Sequence, residues 1–175
     1  MAQAVAPESR ILYVDNDPMV LAHARALLTS TVEGTADYLE ADLRDIGTIM
    51  SVARETLSLD EPIAVVLLGV LDFVPDDDEA YGIVRKLVEA IPSGSYVVIS
   101  HPTWEVNPSA VDRAFDLWNA HGCTPICART PAAIERFFDG LELLDPGVVS
   151  CSQWRPEADA DTAAVIDFAG VARKP

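Results

Sequence analysis

The chain is short of bases, cysteine and aromatic residues, and it has no long apolar run. Lys and Arg number 12 against 28 Asp and Glu in 175 residues, giving a formal net charge of −16. That sign argues against non-specific nucleic-acid binding and against docking on anionic membranes. No segment reaches the ~20 consecutive apolar residues of a membrane helix. The N-terminus has no basic flank followed by an apolar core, so it does not read as a signal peptide. The three cysteines, Cys123, Cys127 and Cys151, are an odd number in a chain without an export signal, which fits a cytoplasmic protein. His121, Cys123 and Cys127 can be stretched into a metal site, but no fourth ligand is evident and the spacing matches no common zinc pattern. Buried or half-buried thiols are the plainer reading. The signatures of serine hydrolases, P-loop enzymes and zinc peptidases are all missing.

What is present reads as one soluble α/β domain over residues 1–175. The composition is 50% hydrophobic, and the length suits a single full core. Ile11 to Val14 predicts a strand. Pro18 to Thr29 predicts a helix with Val20, Leu21, Ala24, Leu27 and Leu28 on one face and His23 off it. Val32 to Gly34 is a turn, Thr35 to Ala41 a weaker strand, and Asp45 the cap of a helix through Ile49, Met50, Ala53 and Leu57. Ile63 to Leu71 is the most hydrophobic run and reads as a central strand buried on both faces. The acidic stretch Asp76 to Glu79 reads as a solvated loop and helix start, followed by a helix to Ile91. Ser95 to Ser100 is another strand. Asn107-Pro108 opens a helix with Val111, Ala114, Phe115 and Trp118 on one face, ended by Gly122. Thr130-Pro131 opens a short one to Phe138. Leu141 to Ser150 and Thr162 to Arg173 are two last strands, paired like an antiparallel hairpin. This alternation implies a doubly wound, mostly parallel sheet covered on both faces.

Residues 10–18 concentrate the chemistry. Four apolar residues run into Asp15, Asn16, Asp17 and Pro18, so Asp15 ends a strand. Ligands of open α/β sheets bind outside the carboxyl ends of the strands, and an acid there can accept two hydrogen bonds from ribose hydroxyls. The same residues also suit a helix cap, because Pro18 fits a first helical turn.

The runs ILYVDNDPMVLAHARALLTS, YLEADLRD, FVPDDDEAYGIVRKL, PSGSYVVISH and FFDGLELLDPGVV…WRP resemble, in order and spacing, an actinobacterial-type S-adenosyl-L-methionine-dependent methyltransferase family long catalogued as a domain of unknown function. The resemblance implies the class I methyltransferase fold, Rossmann-like with an antiparallel C-terminal strand, and S-adenosyl-L-methionine as cofactor. It places Asp15 on the ribose and Asn16 near the adenosine. Asp42 would face the adenine amino group, and the Leu43 backbone N–H an adenine ring nitrogen. Gly69, Val70 and Leu71 would lie beneath the methionine moiety. Asp72 stands where relatives often carry a histidine. His101, after the fourth strand, is the best-placed general base, although a polar residue at the cleft rim is the plainer reading.

The chain departs from that pattern at its front. The first strand and its glycine-rich turn, where only glycine leaves room for the cofactor's carboxypropyl group, are not seen. Without them Ile11–Val14 and Ile63–Leu71 each offer an unpaired edge. The two would pair directly, or another chain, such as a second copy, would fill the gap, or the fragment would be unstable. A non-catalytic interaction module that keeps the fold is therefore the alternative to methyl transfer to an unidentified acceptor. A phosphoacceptor receiver domain is a remote one: ILYVDNDP looks like its opening and Asp72 could be its acceptor, but the required Lys is replaced by His101-Pro102. On the resemblance, this chain alone is expected to bind S-adenosylmethionine weakly or not at all, and a dissociation constant in the low micromolar range would overturn that.

Overall fold

The computed structural model describes residues 2–27, 30–121 and 124–175, in two compact units, residues 1–61 and 62–175. The elements of the first are α1 (Ala2–Val5), β1 (Arg10–Asp15), α2 (Pro18–Leu27), β2 (Thr35–Glu40) and α3 (Ile46–Thr56). β1 and β2 pair in parallel, with Tyr13 opposite Tyr38 and Asp15 opposite Glu40. The two tyrosine rings stack at 5.3 Å, a cross-strand contact that pins the register. The Asp45 carboxylate caps α3, accepting from the Thr48 N–H at 3.0 Å. Ile49, Met50, Ala53 and Thr56 recur at helical spacing and are buried. Thr56 is accommodated because its hydroxyl donates to Asp37 at 2.8 Å.

The second unit comprises β3 (Ala64–Leu68), α4 (Asp77–Ala90), β4 (Tyr96–Pro102), α5 (Pro108–Ala120), α6 (Pro131–Glu135), β5 (Glu142–Leu143), β6 (Val149–Ser150) and β7 (Asp167–Arg173). Its five-stranded sheet runs β3-β4-β7-β5, with β6 also on β7. β3 and β4 are parallel, and β7 is antiparallel to β4, β5 and β6. The expected antiparallel end of the sheet is therefore present. Its first half is cut into two short strands by the turn at Asp145-Pro146-Gly147, and residues 162–166 stay outside the ladder. The acidic stretch forms the start of α4, with Asp76 accepting from the Glu79 N–H at 2.8 Å, where negative charge suits the helix dipole.

Three expectations about burial need correction. β3 is the outer strand of its sheet, not a central one, and Val66 and Leu68 are 54% and 58% exposed while Leu67 between them is buried. A run of apolar residues specifies a strand but not which of its faces is covered. On α2 only Leu21 is buried; Val20 and Leu27 are exposed, and Leu28 lies outside the described residues. On α5 only Val111 is buried, with Trp118 42% exposed, and the expected stop at Gly122 lies outside the described residues. His23 is exposed, as its place off the α2 stripe predicts.

Gly34 closes the turn before β2. A Cβ there would come within 2.5 Å of the Pro7 carbonyl oxygen and 2.7 Å of that of Ser9. Both are backbone atoms tied into the same corner, Ser9 O by the Thr35 N–H at 3.2 Å and Pro7 O by the Thr31 hydroxyl. Gly34→Ala is expected to lower stability by about 1–3 kcal/mol, the usual cost of forced overpacking, read as a lower urea midpoint. A midpoint equal to that of wild type would show that the corner relaxes freely.

Candidate functional site

In the first unit the polar residues gather where β1 and β2 end. Asp15 closes its own turn, its Oδ1 accepting from the Asp17 N–H at 2.8 Å. Asp17 does the same for Met19 at 2.8 Å, and so caps α2. The Ala41 N–H donates to the Asp15 carbonyl at 3.1 Å, which holds the exit of β2 beside the exit of β1. Asp42 follows, with Oδ1 accepting from the Arg44 N–H at 2.8 Å and from the Arg44 guanidinium at 3.4 Å. The structure thus brings Asp15 and Asp42 to adjacent strand ends, with Asn16 and Leu43 next to them in the chain. Capping and ligand binding are compatible readings here, since one oxygen of Asp15 makes the turn and its Oδ2 has no donor among the described residues.

In the second unit β3 ends at Leu68, and Gly69 follows with φ +58 and open space where a Cβ would be. Glycine is needed there for the backbone conformation alone, and it opens the main chain on one side. Val70 then leads into a single 3₁₀ turn, Leu71–Phe73. Asp72 lies on that turn, half-buried, with Oδ1 buried and without a partner among the described residues. Burial pushes its carboxyl above the usual carboxylate range, and the neighbouring Asp167, raised by its own burial, adds to the shift.

His101 contradicts both sequence expectations. It is neither at a cleft rim nor free to act as a base: it is 0% exposed. Its Nε2 lies 2.6 Å from Nη1 of Arg129, and its Nδ1 lies 2.9 Å from the Pro102 carbonyl. A guanidinium can only donate, so Nε2 accepts and Nδ1 carries the proton, giving the neutral Nδ1–H tautomer. Burial, reinforced by the adjacent Arg129 cation, lowers its pKa to about 4. The residue that sequence reasoning missed is Arg129 itself, 3% exposed. It is a lone arginine before the Thr130-Pro131 helix start, and nothing in its local pattern marks it.

Parallel strands ending in polar turns, an antiparallel closing strand and an acid at the first described strand end define a class I methyltransferase fold. N-methyltransferase NodS from Bradyrhizobium japonicum, solved with S-adenosyl-L-homocysteine, shares that fold with a TM-score of 0.56 at 15% identity, over 95% of this chain and 67% of its own. The S-adenosyl methyltransferase family model matches residues 1–175, and the chain belongs to that family, whose cofactor is S-adenosyl-L-methionine. A DUF574 family protein from Streptomyces avermitilis is 44% identical with a TM-score of 0.92, over 99% of this chain and 68% of its own. A protein from Thermobifida fusca is 33% identical with a TM-score of 0.81, over 99% of this chain and 66% of its own. The chain thus spans about two thirds of the length of these solved relatives. Comparison with curated proteins returned no match. No helix of the described residues is long and apolar enough to cross a membrane.

A histidine held neutral below its ordinary value of 6.5 contributes stability that is complete above that value and is lost as pH falls toward 4. The full effect amounts to about 3 kcal/mol. Asp72 and Asp167, both raised, act with the opposite sign, so the measurement is a difference between two proteins. Between pH 7 and 5 the urea midpoint of the wild type is expected to fall further than that of His101→Gln. At pH 6 the ¹⁵N spectrum of the imidazole should show the neutral Nδ1–H form. An imidazolium signal at pH 6 would contradict the assignment.

Proposed function

We propose that the chain binds S-adenosyl-L-methionine and serves methyl transfer from it to an acceptor still to be identified. Asp15 receives the two ribose hydroxyls and Asn16 lies by the adenosine. Asp42 and the backbone N–H of Leu43 meet the adenine edge. Gly69 and Val70 receive the methionine part. The observation that carries this reading is the pairing of strand exits in the first unit. The Ala41 N–H holds Asp42 next to Asp15, and the acid keeps an oxygen without a partner among the described residues. A carboxylate placed so, at a carboxyl strand end, suits a diol ligand. Gly69, which presents bare backbone, suits close approach by a ligand.

The cofactor supplies an electrophilic methyl group on a sulfonium. The protein's part in such a transfer is chiefly to align donor and acceptor and, where the acceptor carries a proton, to remove it. At the carboxyl ends of β3 and β4, His101 is committed to Arg129, whereas Asp72 keeps an oxygen without a partner among the described residues. Asp72 is therefore the group that favours a proton-bearing acceptor. An assembly of two copies across the outer edge of β3 belongs to the same proposal, because Val66 and Leu68 are exposed on an edge strand without a charged or proline guard.

Asp15→Ala tests the cofactor assignment. Hydrogen bonds to a charged group contribute about 1.5–3 kcal/mol, so the dissociation constant for S-adenosylhomocysteine should rise by at least about tenfold. The melting temperature should move only by the loss of the local turn. Ligand-observed NMR reads affinities into the millimolar range and suits weak binding. An unchanged affinity, or no binding by the wild type, would sink the reading.

A further inference from the structure

Arg129 joins three pieces of the second unit that lie far apart in sequence. Its backbone N–H donates to the Pro102 carbonyl at 3.0 Å, which anchors it at the end of β4. From there Nη1 donates to the Leu71 carbonyl at 3.1 Å and to His101 at 2.6 Å. Nη2 donates to the Val74 carbonyl at 2.7 Å, and Nε to Asp77 at 2.9 Å. One guanidinium therefore ties the turn after β3, the end of β4 and the first residue of α4.

Stability alone does not account for this choice. Burying a guanidinium costs several kcal/mol, and well-packed apolar residues of the same volume commonly do as well or better. Its one carboxylate partner among the described residues, Asp77, is 59% exposed, so screening leaves little net gain from that pair. What a rigid planar fork does, and an apolar side chain cannot, is fix direction. Leu71 and Val74 bracket Asp72 and Phe73. Both carbonyls are drawn to one cation, and between them the Asp72 carbonyl accepts from the Cys127 N–H at 2.9 Å, so the segment is held at three points. Gly69 and Val70 enter that segment directly, and the Gly69 N–H is itself tied to the Ser100 carbonyl at 3.3 Å.

We propose that Arg129 is a positioning residue for methyl transfer: by gathering the Leu71 and Val74 carbonyls on one guanidinium, it sets the Gly69–Val74 turn that receives the methionine part of the cofactor and presents Asp72. The inference rests on the methyltransferase reading above. Arg129 touches neither cofactor nor acceptor and acts through the turn. His101 serves it as the acceptor for one guanidinium N–H, a role open to its imidazole because burial, reinforced by the Arg129 cation, keeps the ring neutral.

The test separates the methionine part of the ligand from the nucleoside. The 175-residue wild type, Arg129→Met, Arg129→Lys and Asp77→Asn are titrated with S-adenosylhomocysteine and with adenosine by ligand-observed NMR. In Arg129→Met the dissociation constant for S-adenosylhomocysteine should rise by at least about tenfold, while that for adenosine stays within about threefold. Arg129→Lys should fall between, since an ammonium reaches one carbonyl but cannot span both. Asp77→Asn should shift the same ratio by about two- to threefold, and it carries the test with the lysine variant if Arg129→Met does not fold. Equal losses for both ligands would reduce Arg129 to a structural role, and no loss for either would remove it from binding; each overturns the proposal with the methyltransferase reading intact. Wild type that binds adenosine and S-adenosylhomocysteine equally would show that the turn receives nothing, which also overturns it. Wild type that binds neither would fail the reading itself.

Discussion

The buried guanidinium of Arg129 is the constraint on which the carboxyl edge of the five-stranded sheet depends. Its buried partners lose a donor without it, whereas Asp77 is 59% exposed and reaches water. The Leu71 and Val74 carbonyls accept from it inside the protein, and His101 would be left with a buried unmet acceptor. The surroundings are shaped to take the cation. The Phe137 ring lies 5.5 Å from its Cζ and also stacks on His101 at 6.1 Å. Tyr81 packs on the same ring at 4.8 Å and donates its hydroxyl to the Ala133 carbonyl at 3.0 Å. A charged group, an imidazole and two aromatic rings therefore form one interlocked layer beneath the turn that carries Asp72. Removing any one leaves a void or an orphaned polar atom.

The first unit solves a similar problem by cheaper, local means. Asp15, Asp17, Asp42 and Asp45 each accept from a backbone N–H two or three residues further along. Such Asx turns and caps need no long-range partner, and they leave the carboxylates at the surface. Here the chain orders its acids one at a time, while in the second unit the order is collective. The difference shows in the titration of three acids. The surface acid Asp45 is held below its usual range by its bonds from Thr48, whereas Asp72 and Asp167 are raised by burial.

Much of the fold was legible because its signals are short-range. Asp45 announces α3 and Asp76 announces α4, since a capping side chain reaches only three residues. Thr130-Pro131 announces α6 for the same reason. The apolar runs located β1, β3 and β4, and Asp15 marked the end of β1, whereas β3 stops at Leu68, three residues before the run ends, and β4 runs on to Pro102. Five motifs in register then identified the family, which the match over residues 1–175 bears out. Side-chain period was a weaker guide. Val20, Leu27 and Trp118 keep helical spacing and yet are exposed, because periodicity states which residues share a face and not whether anything covers it.

The sequence by itself determined the order of the elements, several of their caps, the strand ends that hold Asp15 and Asp42, and membership of the methyltransferase family. Each of these is written in neighbouring residues or in a linear pattern of motifs. The tertiary structure alone decided that β3 is an outer strand, that His101 is a buried neutral acceptor and not a base, and that Arg129 is the centre of the second unit's carboxyl edge. The physical reason is distance along the chain. Arg129 meets His101 across 28 residues and Leu71 across 58. Burial and hydrogen-bond pairing at such separations are properties of the packed chain, which no local pattern encodes.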